Sequence, residues 1–315
     1  MALPCILDCD PGHDDAVAIL LAAAAPEIDL RAITTVAGNG TLEKVTRNAR
    51  AVCTLAGIRD VPIAAGADRP LRRNLETAAH VHGETALDGP ALPEPDVPLD
   101  PRPAVALMAD VLGAAEEPVT LIPIGPLTNV ATLLEREPAL VRERVSEIVL
   151  MGGSSERGNH TPYAEFNIYV DPEAAERVFA APVPVTMVGL NLTHQAVATA
   201  AVVDRLRALG TRLGEVVTGW MTFFGSTYEE LWGLPGPPVH DPCAVARTID
   251  PTIVRCAETF VAVETEGRFT RGATVVDLHR RLGREPNARV AMELDAARFW
   301  DRVVGAVDAL GARAA

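Results

Sequence analysis

LPCILDCDPGHDDAVAILLAAAA, Leu3–Ala25, carries three signals in succession. Leu3–Cys9 is a short, mostly apolar run, as a strand buried on both faces requires. Pro11-Gly12 is turn punctuation. Asp14–Ala25 then has two acids in its first turn and only Ala, Val, Ile and Leu beyond them, which predicts a buried helix starting just after the turn. A strand that passes through a tight turn into a helix is the first half of a βαβ unit.

The rest of the chain repeats that grammar. Ile28–Val36, Val61–Ala65, Val119–Ile124, Glu147–Met151 and Val183–Val188 read as buried strands. Leu42–Ala56, Ala104–Ala114, Leu127–Arg136 and Pro172–Ala180 read as the helices between them. Further on, Val203–Leu213, Val216–Trp232 and Leu294–Leu310 read as helices, and Phe260–Glu264 with Ala273–Asp277 as a late pair of strands. The alternation predicts an α/β fold with a mainly parallel, Rossmann-like central sheet flanked by helices, its active site at the carboxyl ends of the strands. Asp171-Pro172 and Asp241-Pro242 each place a capping carboxylate before a proline at the first helical position. The proline-rich stretch Asp88–Pro103 reads as a surface loop, because the alternation resumes after it, and residues 1–315 are expected to form one domain.

Composition narrows the function. The 315 residues are 48% hydrophobic and 22% charged, which excludes disorder as the main theme. Acids outnumber bases 42 to 28, giving a formal charge of -14, a field that disfavours nucleic acid and anionic membrane as partners. Five cysteines at positions 5, 9, 53, 243 and 256 form no C-x-x-C pair, which argues against a zinc site or a disulfide framework. The N-terminus shows no secretory pattern, and the apolar run Ala16–Ala25 is too short to span a bilayer, so a cytoplasmic location is expected.

Four carboxylates, Asp8, Asp10, Asp14 and Asp15, fall within eight residues at the end of the first strand. They repel one another unless a cation, a ligand or a helix terminus compensates, and the helix dipole accounts for one or two of them at most. An all-oxygen set suits a hard cation, Ca²⁺ or Mg²⁺. Pro11 breaks an EF-hand pattern, and Gly12 stands where a D-x-D phosphatase would carry Thr or Val. Other strand ends carry Gly38-Asn39, Gly125–Asn129, Met151–Gly153, Asn159, Glu165–Asn167 and His240-Asp241. Singly each is turn chemistry, but together they offer Asp, Glu, Asn and His to one pocket.

The series DCDPGHDDA (8–16), VAGN (36–39), VHGE (81–84), GPLTN (125–129), MGG (151–153), GNHTPYAEFN (158–167), DPEAA (171–175) and VHDP (239–242) resembles the inosine-uridine nucleoside hydrolases, in the family's order. HGETALDGPALPEP (82–95) and ETEGRFTRGATVVD (264–277) are most similar to the pyrimidine-preferring bacterial members. The resemblance implies that Asp10, Asp15, Asp241 and the carbonyl of Ile124 hold Ca²⁺, with Asp10 also the general base. It implies that Asp14, Asn39, Asn159, Glu165 and Asn167 grip the ribose, with Met151 and Phe166 beside them. His82 and His240 are then expected on the base side, assisting the leaving group. It further implies a homotetramer or dimer. Phe224, Tyr228 and Trp232 share a helix face at i, i+4 and i+8, which reads either as a core stripe or as a stacking surface for the base.

The implied reaction suits these residues. Breaking an N-ribosyl bond passes through an oxocarbenium-like sugar that needs anionic surroundings, an activated water and a proton donor for the base. Two departures stand near the site: Ala86 replaces a usual Gly, and Asn191 a frequent Asp. Three alternatives stand beside this reading: a purine-accepting inosine-uridine hydrolase, a non-catalytic nucleoside-binding protein on the same scaffold, and a phosphatase built on Asp8 and Asp10. The phosphatase would need basic residues for phosphate, and none accompanies residues 8–15.

Overall fold

The computed structural model describes residues 2–232 and 236–313, with the backbone alone at Leu231 and Trp232. Ten strands occur among them. They are β1 (Leu3–Cys9), β2 (Ile28–Thr35), β3 (Ile63–Ala65), β4 (Val119–Pro123), β5 (Val145–Met151), β6 (Val185–Val188), β7 (Val254–Thr259), β8 (Val261–Val263), β9 (Thr274–Val276) and β10 (Ala288–Leu294). Eight join one sheet in the order β3-β2-β1-β4-β5-β6-β10-β7. All neighbours run parallel except β7, which is antiparallel to β10. β8 and β9 pair separately as a short antiparallel ribbon.

β1 is an interior strand, third in that order, and is buried along six of its seven residues. From it the chain winds outward through β2 and β3, then returns to lay β4 on β1's other side. That reversal opens a crevice beyond the carboxyl ends of β1 and β4, where open α/β sheets bind ligands. Asp10 lies one residue beyond β1, and Ile124 directly follows β4.

Two apolar cores sandwich the sheet. One holds helix His13–Ala24, packed on Asp241–Ile249 and Ala296–Arg313; its first ten residues are all buried. The other is built around helices Ala104–Ala114, Thr128–Arg136 and Pro172–Phe179. The proline-rich loop lies along helix Leu42–Ala56: Arg50 Nε donates to the Val97 carbonyl at 2.7 Å and Thr54 Oγ1 to Asp96 at 2.9 Å. Leu99 bridges to Ile63 and the Asp100 amide donates to the Ile63 carbonyl, which covers the exposed edge of β3.

The structure departs from the sequence reading at several points. β7 and β10 were not anticipated; each carries one Arg and one Glu, with Arg255 pairing across the strands with Glu293, instead of an unbroken apolar run. The helix expected at 203–213 ends at Arg207, and a new helix begins at Arg212, with Gly210 between them at φ +64. Asp171 caps its helix as expected, accepting from the Ala174 amide at 3.1 Å. Asp241 does not cap: it is the first residue of its helix, and the N-cap position belongs to His240. All five cysteines are free.

Candidate active site

The floor of the crevice is acidic. Asp10 Oδ2 accepts the Asn39 amide at 2.7 Å, while its Oδ1 is buried with no hydrogen-bond partner. Its surroundings are shaped by absence of side chains: a Cβ at Gly38 would lie 2.2 Å from one carboxylate oxygen, and one at Gly125 would lie 2.4 Å from the other. Asp15 folds back on its own turn, accepting the amides of Asp10 at 2.9 Å and Gly12 at 3.0 Å, and Asn39 Nδ2 at 3.1 Å. Asp14 Oδ2 accepts the His240 amide at 3.1 Å, tying the first helix to the start of Asp241–Ile249. Asp8 stands apart. Its Oδ1 accepts Thr34 Oγ1 at 2.6 Å and Asn129 Nδ2 at 2.8 Å. Asp8, Asp10 and Asp15 are all absent from the cavity lining, but Asp10 is tied to Asp15 while Asp8 points to β2 and Asn129, so one of the two carboxylates of a phosphatase reading is turned away.

Asp14, Asp15 and Asp241 each present an oxygen within 4.8 Å of the others, and all three are buried. The resemblance placed Asp10, Asp15 and Asp241 together on the metal and Asp14 on the ribose; here Asp14 completes the close triplet and Asp10 stands beside Asp15. Burial raises the pKa of Asp10, Asp14, Asp15 and Asp241, and repulsion from neighbouring carboxylates adds to it at Asp10, Asp14 and Asp241; Asp14 is pushed up to about 7. No Lys or Arg lines the cavity among the described residues. A partnerless buried oxygen beside three converging carboxylates is a donor set fitted to a divalent cation, and hard oxygen ligands point to the alkaline-earth kind.

One wall is polar. Glu165 caps the helix Phe166–Val170, accepting the amides of Gly153 at 2.9 Å, Asn167 at 2.9 Å and Ile168 at 3.1 Å. Burial still pushes it up to about 7. Asn167 Nδ2 donates to the Ile124 carbonyl at 2.8 Å, and Asn159 Oδ1 accepts the Phe166 amide at 3.0 Å. Asp14, Asn39, Ile124, Met151, Asn159, Glu165, Phe166, Asn167 and Asp241 all face one cavity.

The opposite wall is aromatic and imidazole-rich. His240 is held by two hydroxyls, Thr193 Oγ1 at 2.8 Å from Nδ1 and Tyr228 Oη at 2.7 Å from Nε2. Burial pushes it down to about 3, so it is neutral at pH 7. Phe224 and Tyr228 line the cavity, ring centroids 4.9 Å apart and nearly perpendicular. The Trp232 side chain lies outside the described residues. His82 lines the cavity too, and burial followed by the nearby His13 holds it well below the usual histidine range. The sequence reading missed His80, Val81 and His160 at this wall, and Thr193 behind His240. Only Val81 and His160 lay inside quoted motifs.

Matches to known proteins accord with this geometry. The inosine-uridine preferring nucleoside hydrolase family matches residues 5–301. The chain belongs to that family. It is 50% identical over 302 residues to the pyrimidine-specific ribonucleoside hydrolase RihA of Escherichia coli O1:K1 / APEC, spanning 96% of this chain and 97% of that one. RihA of Salmonella paratyphi A is 49% identical over the same coverage. Among solved structures, the purine-preferring ribonucleoside hydrolase from Gardnerella vaginalis superposes with a TM-score of 0.91 at 32% identity, over 98% of this chain and 99% of that one. As a nucleoside hydrolase this chain is an N-ribohydrolase, and the parallel sheet with its flanking helices is the family's fold. No helix among the described residues is long and apolar enough to cross a membrane.

Proposed function

We propose that this nucleoside hydrolase is Ca²⁺-dependent and prefers pyrimidine ribonucleosides, releasing uracil or cytosine and ribose for nucleoside salvage in the cytoplasm. The observation that carries the substrate class is the 50% identity, over nearly the full chain, to a pyrimidine-specific RihA. The converging carboxylates of Asp14, Asp15 and Asp241, with Asp10 beside them, support the cation.

Asp10, Asp15, Asp241 and the Ile124 carbonyl would hold the ion, with Asp14 close enough to join them. When bound, Ca²⁺ makes a water more acidic. Asp10 accepts the proton from that water through Oδ1, the oxygen left without a protein partner. Asp14, Asn39, Asn159, Glu165 and Asn167 read the ribose hydroxyls, and negative charge on Asp14 and Glu165 favours the oxocarbenium-like sugar as the N-ribosyl bond lengthens. The departing base needs a proton. His240, neutral at rest, would take up a solvent proton and pass it to the base through the hydroxyl of Tyr228, with which it shares a 2.7 Å hydrogen bond. Phe224 and Phe166 flank the base, and one domain carries the whole site. Assembly as a homodimer or tetramer completes the reading, consistent with Phe269 at 74% and Tyr163 at 55% exposure.

Base release from uridine, cytidine, inosine and adenosine, with excess calcium and after chelation, tests this directly. Calcium-dependent cleavage led by uridine and cytidine is expected. A purine-led ranking would overturn the pyrimidine assignment. Undiminished turnover after chelation would overturn the cation, and binding without turnover would mark a nucleoside sensor.

A further inference from the structure

His13 has no part in the chemistry above, yet it is fully buried against the base-side wall. Its ring stacks on His82 at 5.3 Å and on Phe223 and Phe224 at 5.1 and 5.3 Å between centroids. Its Nε2 lies 2.8 Å from the Asp88 carbonyl oxygen, and its Nδ1 lies 3.0 Å from His82 Nδ1.

These two contacts fix where the protons are. A carbonyl only accepts, so His13 Nε2 carries hydrogen. Neither imidazole hydrogen-bonds a carboxylate, and both are buried, which keeps each ring neutral. His13 Nδ1 is therefore a bare acceptor, and His82 Nδ1, 3.0 Å away, must be its donor. The His13 amide also approaches His82 Nδ1, at 3.4 Å. Satisfying that longer contact instead would need a proton on His13 Nδ1, leaving a lone pair facing the Asp88 carbonyl at 2.8 Å. The carbonyl itself is well placed: the Asp88 carboxylate accepts the amides of Glu84 and Thr85, both at 3.0 Å, which closes the loop after His82. With hydrogen on Nδ1, His82 keeps a bare Nε2, which bonds no described residue.

We propose that His13 is a positioning residue that locks His82 in its Nδ1–H form, so that His82 Nε2 accepts a hydrogen bond from an N–H of the nucleobase and does not protonate it. Uracil offers N3–H and cytosine its amino group, so one acceptor serves both. Protonation of the base is then left to the Tyr228–His240 pair. The identity of the base rests on the reading under Proposed function; the tautomer does not.

Nitrogen-15 spectra of the histidine rings in the calcium-loaded, full-length protein report the tautomer without turnover. His82→Gln identifies the resonance. His13→Phe keeps an aromatic ring in the stack and removes the acceptor, whereas His13→Asn loses the stack and keeps an acceptor oxygen near the old Nδ1. The wild type and His13→Asn should show His82 protonated on Nδ1, and His13→Phe should show it on Nε2. For uridine, KM should rise roughly ten-fold in His13→Phe, the value of one neutral hydrogen bond, with kcat changed much less and partial recovery in His13→Asn. The increase should be much smaller for p-nitrophenyl riboside, whose leaving group has no N–H. A wild-type Nε2–H tautomer, an unchanged tautomer in His13→Phe, or a loss confined to kcat would overturn the inference. If His13→Phe does not fold, the wild-type and His13→Asn spectra still decide it. A wild type that cleaves no nucleoside would sink the proposed function and leave the spectra standing as the test of the tautomer.

Discussion

The acidic floor and the base-side wall of this cavity are built by opposite means. On the floor, main-chain amides hold the functional carboxylates: Asn39 on Asp10, Asp10 and Gly12 on Asp15, His240 on Asp14. On the wall, side chains hold side chains: Thr193 and Tyr228 grip His240, and His13 stacks on His82. A backbone-held group keeps its place when its neighbours change, whereas a side-chain-held group moves with every substitution around it. The floor is thus suited to chemistry common to all ribonucleosides, and the wall to choosing a base.

The sharpest break of the comparison comes from removing the floor's base. Asp10→Ala should lower turnover of uridine by about 10³-fold or more, with the folded structure intact by circular dichroism. Retained turnover would place the base elsewhere. Next in size is the response to the substrate's diol. 2′-Deoxyuridine should react at least about 10²-fold more slowly than uridine, because buried acceptors are left unpaired; equal rates would move the ribose contacts off this wall.

The wall should respond more gently. Tyr228→Phe removes the hydroxyl between His240 and the cavity, so kcat for uridine should fall by roughly 10–10²-fold, and by less for p-nitrophenyl riboside, which departs without a proton. Equal losses on both substrates would mean that Tyr228 serves packing only.

The smallest effect is thermodynamic. Asp14 and Glu165, each pushed up to about 7, bind protons in the folded state that the unfolded chain has already released above its ordinary carboxylate range. That stabilisation is full below pH 4 and is lost as pH rises through 7. In chelator the melting temperature should therefore fall between pH 5 and pH 8, and calcium should reverse the fall. Asp241→Ala should weaken the calcium response. A flat profile in chelator would mean the carboxylates ionise without strain.

The floor was legible in the sequence and much of the wall was not, for related reasons. Leu3–Ala25 states its strand, turn and helix in one continuous stretch, and Asp10, Asp14 and Asp15 follow from it. Contacts between residues 13 and 82, or 193 and 240, arise only when distant strands are ordered, and no local pattern encodes them. β7, at the sheet edge, and β10 beside it escaped because each carries an Arg and a Glu within its run, unlike the mostly apolar β1 and β4. Asp241 looked like a cap because Asp-Pro often is one; the cavity had a stronger claim on its carboxylate. Ala86, in place of a usual Gly, sits at φ +64, the left-handed region a Gly would occupy without strain.

The two glycines that pinch Asp10 give this enzyme an unusual vulnerability. Gly38 and Gly125 carry no functional group, yet a single methyl at either would occupy the space of the carboxylate oxygens. The protein can thus be silenced by addition as well as by deletion. On the proposed role of Asp10, a chain keeping every acid, amide and histidine of the site would lose its activity through the replacement of one glycine hydrogen by a methyl. A search for decayed copies that inspects only reactive side chains would score such a chain as intact.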